Sequence, residues 1–211
     1  MNTIKTLAIL ITTIFLFSAC NSKKSSVSQV ENGVEVSTGK LNVKVQFYAD
    51  DIARVVKWSN DGTSEKKSLS VIQHSLPQLS ISTEDSKESV TLKSASLTLI
   101  IDKASGNVQF IQPSGENILK ETGFSELKPV EYKGDKGFAM KQCFQLTPEE
   151  GIYGLGQHQD GYFNYRGKEV VLVQSNTEAV NPFLISTKNW GILWDNYSKT
   201  IFNDNNRFLF C

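Results

Sequence analysis

Between Gly151 and Asn203 the chain concentrates the side chains that could do chemistry: Gly, Tyr, Phe, Trp and amides in unusual density. Tyr162, Phe163, Tyr165 and Trp190 could stack on sugar rings, or could fill a core, since aromatics carry large buried areas. Asn176, Thr177 and Glu178 follow. The Asn amide both donates and accepts, which suits adjacent hydroxyls of a polyol; the same Asn-Thr pair also suits a plain turn before a strand. Gly154-X-Gly156 lacks the third glycine of a dinucleotide loop, and no amphipathic helix follows it, so nucleotide cofactors are excluded. His158 is either a polar contact or a histidine satisfied within its own turn.

Other candidates carry less. Glu149 and Glu150 are adjacent, and neighbouring residues of extended chain point apart, so they do not read as a cooperating acid/base pair. Asp195, beside Trp194, reads as a turn or edge carboxylate. His74 and His158 are far apart, with no Cys or carboxylate cluster near either, so no metal site is expected. Cys143 and Cys211 have no framework spacing, and Cys143 reads as a buried free thiol.

The elements that must position these residues are strands. "LNVKVQFY" alternates, with Leu41, Val43, Val45 and Phe47 on one face, the period of a half-buried strand. "DDIARVVKWS" supplies Ile52, Val55, Val56 and Trp58, and Asn60-Asp61-Gly62 signals a turn. "SLSVIQ", "QLSIS", "SVTLKS", "SLTLIID" and "NVQFIQ" follow as expected strands, with a hairpin over Asp102–Gly106 and a turn at Ser114-Gly115. "ETGFSELKPVEY" is too broken by Gly123 and Pro129 to be a helix. The fold expected is all-β, an antiparallel β-sandwich. The 211 residues, 39% hydrophobic, suffice for one sizeable core or two small ones. A formal charge of +0 and no basic run longer than two lysines argue against nucleic acid.

The first twenty residues are of another kind. Lys5 precedes an apolar run from Leu7 to Phe17, which is short for a bilayer span and has signal-peptide proportions. Phe17-Ser18-Ala19-Cys20 resembles a lipoprotein box, in which Cys20 receives the lipid; the other reading is an ordinary signal peptide with an incidental cysteine. Residues 1–20 are therefore expected to be a lipoprotein signal peptide, and the polar residues 21–33 a flexible tether. The mature chain is expected in the bacterial cell envelope, anchored to membrane.

"YGLGQHQDG", "QSNTEAVNPFLIST" and "WGILWDNYS", in that order, resemble the N-terminal, galactose-mutarotase-like β-sandwich of glycoside hydrolase family 31, whose members include α-glucosidases and α-xylosidases. "SLTLIIDKASGNVQFIQPSGENIL" resembles that family's core hairpin. The resemblance covers residues 34–211. It implies retaining hydrolysis of α-linked oligosaccharides by two aspartates of a (β/α)₈ barrel downstream, without cofactor or metal. Retention needs the two carboxyl groups about 5 Å apart. No such barrel is readable here, so the chain alone is expected to be inactive, with no catalytic residue of its own. The resemblance further implies that Asn176, Thr177 and Glu178 form a loop reaching the substrate. Two other readings stay open: an autonomous carbohydrate-binding lipoprotein, and a mutarotase-like enzyme, which would need acid/base groups in a sugar cleft.

Overall fold

The structure is a computed structural model and describes residues 25–204, apart from 66 and 74, together with the strand at 208–210. The signal peptide, Cys20, His74 and Cys211 lie outside the described residues. The strands are β1 (Ser26–Val30), β2 (Gly33–Ser37), β3 (Leu41–Ala49), β4 (Ile52–Ser59), β5 (Ser82–Asp85), β6 (Ser89–Lys93), β7 (Thr98–Asp102) and β8 (Val108–Ile111). They continue as β9 (Asn117–Tyr132), β10 (Asp135–Gln145), β11 (Ile152–Gln157), β12 (Glu169–Leu172), β13 (Ala179–Ser186), β14 (Gly191–Leu193), β15 (Thr200–Asn203) and β16 (Phe208–Phe210). No helix occurs among the described residues.

The strands form three antiparallel sheets. One runs β1-β2-β3-β4, a second β12-β15-β16-β10-β9-β8-β7-β6-β5, and a third β11-β13-β14. The nine-stranded sheet is the common floor, and the two smaller sheets cover its two halves. Val43, Val45 and Phe47 of β3, fully buried, meet Leu92, Leu99 and Ile101 of the floor in one core. Ile152, Leu155 and Leu184 of the third sheet meet Leu119, Phe144 and Phe202 in the other. Phe110 and Ile118 touch both cores and join them. The all-β sandwich and the β3 alternation are as the residue pattern dictates.

Three expectations are corrected. Residues 21–33 are not a tether throughout: from Ser26 the chain pairs as β1 along β2, and Val27 packs on the first core. Val27 and Val30, hidden among serines, are enough to hold an edge strand. "SLSVIQ" forms no strand, and "QLSIS" contributes only its last residue, Ser82, to β5. With Pro77 removing a donor and no sheet edge recruited, these residues run as irregular chain. In β4 the inward positions are Ala53, Val55 and Lys57, not Ile52 and Trp58; Ile52 is exposed and Lys57 is buried. "ETGFSELKPVEY" is not a helix, as expected; it belongs to one long strand, β9, paired with β10 past Pro129.

Candidate functional site

The third sheet positions the candidate residues. β11 pairs with β13, and the register shifts between Gly154 and Gly156. This bulge is made by three consecutive left-handed residues, Gly154 (φ 109°), Leu155 (φ 63°) and Gly156 (φ 98°). A Cβ on Gly156 would lie 2.1 Å from the Ala179 carbonyl oxygen, so only glycine lets the strands approach here. Leu155 accepts the unfavourable φ because its side chain is fully buried in the second core. The extra residue re-aims the end of β11, as bulges do.

Directly beyond the bulge, Gln157 pairs with Ala179, and Ser175 bridges Glu178 across the two-residue turn Asn176-Thr177. Asn176 and Thr177 are exposed and Glu178 is half-buried. Gln174 fixes the turn from below: its Nε2 donates to the Glu178 carbonyl (2.6 Å), and its Oε1 accepts from the Val180 N–H (3.1 Å). The imidazole of His158 is buried, with 2% of the side chain exposed. His158 Nε2 donates to the Leu155 carbonyl (2.9 Å), and Nδ1 lies 3.9 Å from Glu178 Oε2. His158 is thus fixed to the bulge and stands beside the turn. The three predicted site residues are together, on one rim, with the glycine bulge beneath them. Sequence reasoning missed Gln174 and the His158–Glu178 contact.

A second loop, residues 158–168, flanks this turn. Tyr165 stands edge-on to His158 (6.2 Å between centroids), to Tyr162 (5.6 Å) and to Phe202 (6.4 Å). Tyr162 donates to Asp160 (3.2 Å), and Lys168 Nζ lies 5.0 Å from its ring centroid. Desolvation, then the Asp160 carboxylate, pushes both the Tyr162 and Tyr165 phenols up, so neither is set to lose its proton near neutrality. Of the four expected stacking candidates, Tyr165 and Trp190 are core residues, Tyr162 is half-buried, and Phe163 is 88% exposed.

The remaining carboxylates are structural. Glu150 is buried and accepts from the Thr147 N–H (3.0 Å) and the Ser186 hydroxyl, while Glu149 is exposed. Asp195 pairs with Arg54 (3.3 Å) and accepts from Ser68 (3.0 Å) and Tyr197 (2.9 Å). Cys143 is a free thiol. Among the described residues no group of three His, Cys, Asp or Glu side chains is placed to hold a metal ion. The rim can donate and accept hydrogen bonds toward hydroxyls.

Two small antiparallel sheets on one long floor, with a glycine bulge aiming a polar turn off one end, define a galactose-mutarotase-like β-sandwich. The model of the glycosyl hydrolase 31 N-terminal galactose mutarotase-like domain matches residues 42–203, and the chain belongs to that family. It is 34% identical over 170 residues to an α-xylosidase of Saccharolobus solfataricus, covering 76% of this chain and 23% of that protein. An α-glucosidase 2 of Bacillus thermoamyloliquefaciens is 25% identical over 181 residues, covering 76% of this chain and 21% of that protein. Among solved structures, the family 31 α-xylosidase of Xanthomonas citri superposes with a TM-score of 0.78 at 31% identity, over 85% of this chain and 20% of that one. A soil-metagenome family 31 α-xylosidase complexed with xylose superposes with a TM-score of 0.77 at 20% identity, over 88% of this chain and 30% of that one. The chain therefore spans between a fifth and a third of the length of these relatives.

Proposed function

We propose that this chain is the N-terminal, carbohydrate-contacting and barrel-supporting part of a retaining α-glycoside hydrolase, an α-xylosidase or α-glucosidase acting on α-linked oligosaccharides. The observation that carries the reading is the exposed Asn176-Thr177 turn, braced by Gln174, on a sandwich of this family. A turn held by its own side-chain hydrogen bonds offers amide and hydroxyl groups to a sugar without a large ordering cost. The barrel-supporting role rests on the outer face of the third sheet. Register puts Tyr153, Ile185, Phe183 and Leu193 on one side of it, opposite the core side, and each is between 37% and 47% exposed. A cluster this apolar suits burial against another domain.

The chemistry itself requires two carboxyl groups across the glycosidic bond, which the rim does not provide. The 211-residue chain is accordingly expected to be inactive, and the product of the whole gene, including any sequence beyond Cys211, to hydrolyse aryl α-xylosides or α-glucosides. Aryl release by the purified 211-residue chain, or none by the whole product, overturns the reading. The mature chain is further proposed to be lipid-anchored through Cys20 in the cell envelope. The support is the order of Lys5, apolar run and small residues before the cysteine. Intact mass of the membrane fraction tests this: an N-terminus at residue 20 bearing acyl mass is expected, and an unlipidated N-terminus rejects it.

A further inference from the structure

We infer that Phe163 is an aromatic platform for a sugar ring of the oligosaccharide, beyond the ring met by the Asn176-Thr177 turn; the inference rests on the function proposed above. Phe163 is 88% exposed, an uncommon state for so large an apolar ring. It is also fixed there. On one side Tyr162 is held by Asp160, by the edge of Tyr165 and beneath the Lys168 ammonium. On the other, the Asn164 carboxamide oxygen accepts from the N–H groups of Ile152 (3.1 Å) and Arg166 (3.2 Å). Tyr165 fills the core below and donates its own N–H to the Ile152 carbonyl (2.9 Å). With both neighbours pinned and the core already occupied, the Phe163 ring stays at the tip of its loop, presented rather than collapsed.

Its surroundings identify the occupant. The exposed side chains beside Phe163 in its loop, Gln159, Asp160, Asn164 and Lys168, are all polar, and the other exposed positions, Gly161 and Gly167, carry no side chain. A pyranose has an apolar C–H face and a rim of hydroxyls, so one aromatic ring set among donors and acceptors matches it. A protein partner is better matched by the aliphatic outer face of β11, β13 and β14, since interface cores are depleted of charge. The loop and the turn also form one rim. Glu178 meets His158, His158 meets Tyr165, and Tyr165 meets Tyr162, each by a direct contact. These contacts run through the buried His158 and Tyr165 side chains, so the turn that carries Asn176 and the loop that carries Phe163 are parts of one packed unit.

The test is kcat/KM of the whole gene product for an aryl α-glycoside and for α-linked oligosaccharides of two to five sugars with the same terminal residue. Phe163→Ala is expected to lower kcat/KM about five- to twentyfold on the longest substrates, as for truncation of an exposed aromatic anchor. The aryl glycoside and the disaccharide should change by less than about twofold, and Phe163→Trp should restore the long substrates. Loss at every length, loss at none, or a lowered melting temperature without length dependence assigns the ring to protein packing and overturns the inference. A product that cleaves no α-glycoside defeats the proposed function as well; cleavage without length dependence defeats only the role of Phe163.

Discussion

Lys57 Nζ of β4 lies 2.6 Å from Glu121 Oε2 of β9, a buried ion pair that joins the four-stranded sheet to the nine-stranded floor. Lys57 also donates to Gln142 (2.8 Å) and Ser125 (3.0 Å), and the Val108 N–H donates to Glu121 (2.6 Å). Burial pushes Lys57 down and Glu121 up, in each case against the attraction of the partner. Removing the cation therefore leaves a buried carboxylate with only the Val108 N–H to oppose the effect of burial. Lys57→Met is expected to cost about 3–5 kcal/mol of stability near neutral pH, the cost of breaking a buried pair from one side. A carboxyl whose folded pKa is raised holds its proton more tightly when folded. Its contribution is best below the unfolded value and is lost as pH rises through the folded value. The Lys57→Met penalty should thus be smaller at pH 5 than at pH 8 in chemical denaturation, and the double variant Lys57→Met, Glu121→Leu should recover most of it. Equal penalties at the two pH values would contradict this account.

This pair marks where the sequence was legible and where it was not. The alternation of Leu41, Val43, Val45 and Phe47 dictates a half-buried strand, and the strand is there. Lys57 stands at the inward parity of Ala53 and Val55, yet a lone lysine in a strand reads as solvated until its carboxylate partner is found 64 residues later. Such pairing is set by how sheets stack, which periodicity does not encode. "SLSVIQ" failed for the converse reason: β propensity is a fit to neighbours on a pleated surface, and the segment pairs with no strand. At the candidate site the motif order singled out Asn176–Glu178 and the glycines. The bracing by Gln174 comes from side-chain geometry across the turn and could not be read beforehand.

The bulge beneath the turn admits a sharp comparison of two glycines. Gly156 (φ 98°) has no room for a Cβ, whereas Gly161 (φ 75°) has nothing within 4 Å of one. Gly161→Ala should cost only the left-handed strain, about 1–2 kcal/mol. Gly156→Ala should cost clearly more, because β11 and β13 must part. Thermal melts of the two variants give the ranking, and amide exchange at Gln157 and Val180 should quicken only in Gly156→Ala. An equal or reversed ranking rejects the close-approach explanation.

Asp195 fastens irregular chain rather than performing chemistry. Its Oδ1 accepts from Ser68 and Tyr197, and Tyr197 in turn accepts the Leu69 N–H. Leu69 and Ile72 lie in the same segment and are 76% and 79% exposed. Asp195→Ala should release residues 63–73 while costing only about 1 kcal/mol in global stability, since the Arg54 pair is partly exposed. Limited proteolysis is the readout: cleavage within this segment should accelerate several-fold, with a melting temperature changed by a few degrees at most. Unaltered cleavage would show that Pro77, held by Asn32 (2.8 Å), and the packing of Leu79 and Ile81 on the first core suffice to hold the segment.

The turn itself is tested by Asn176→Ala in the whole gene product. Asn176 is exposed, and the turn is braced by Gln174, so folding stability should hold within about 0.5 kcal/mol. A neutral hydrogen bond to a sugar hydroxyl contributes about 0.5–1.5 kcal/mol. Its removal should lower kcat/KM several-fold on every α-glycoside that the product cleaves, whatever the substrate length. That even loss contrasts with the length-dependent loss expected for Phe163→Ala, so the two variants map two separate places along the rim. Gln174→Ala provides the control for positioning. It removes both Gln174 hydrogen bonds to the turn without touching the outward groups, and should reproduce part of the Asn176→Ala loss with a modest fall in melting temperature. Unchanged kcat/KM in Asn176→Ala, or a loss that merely tracks lowered stability, would return Asn176-Thr177 to a plain turn between β12 and β13.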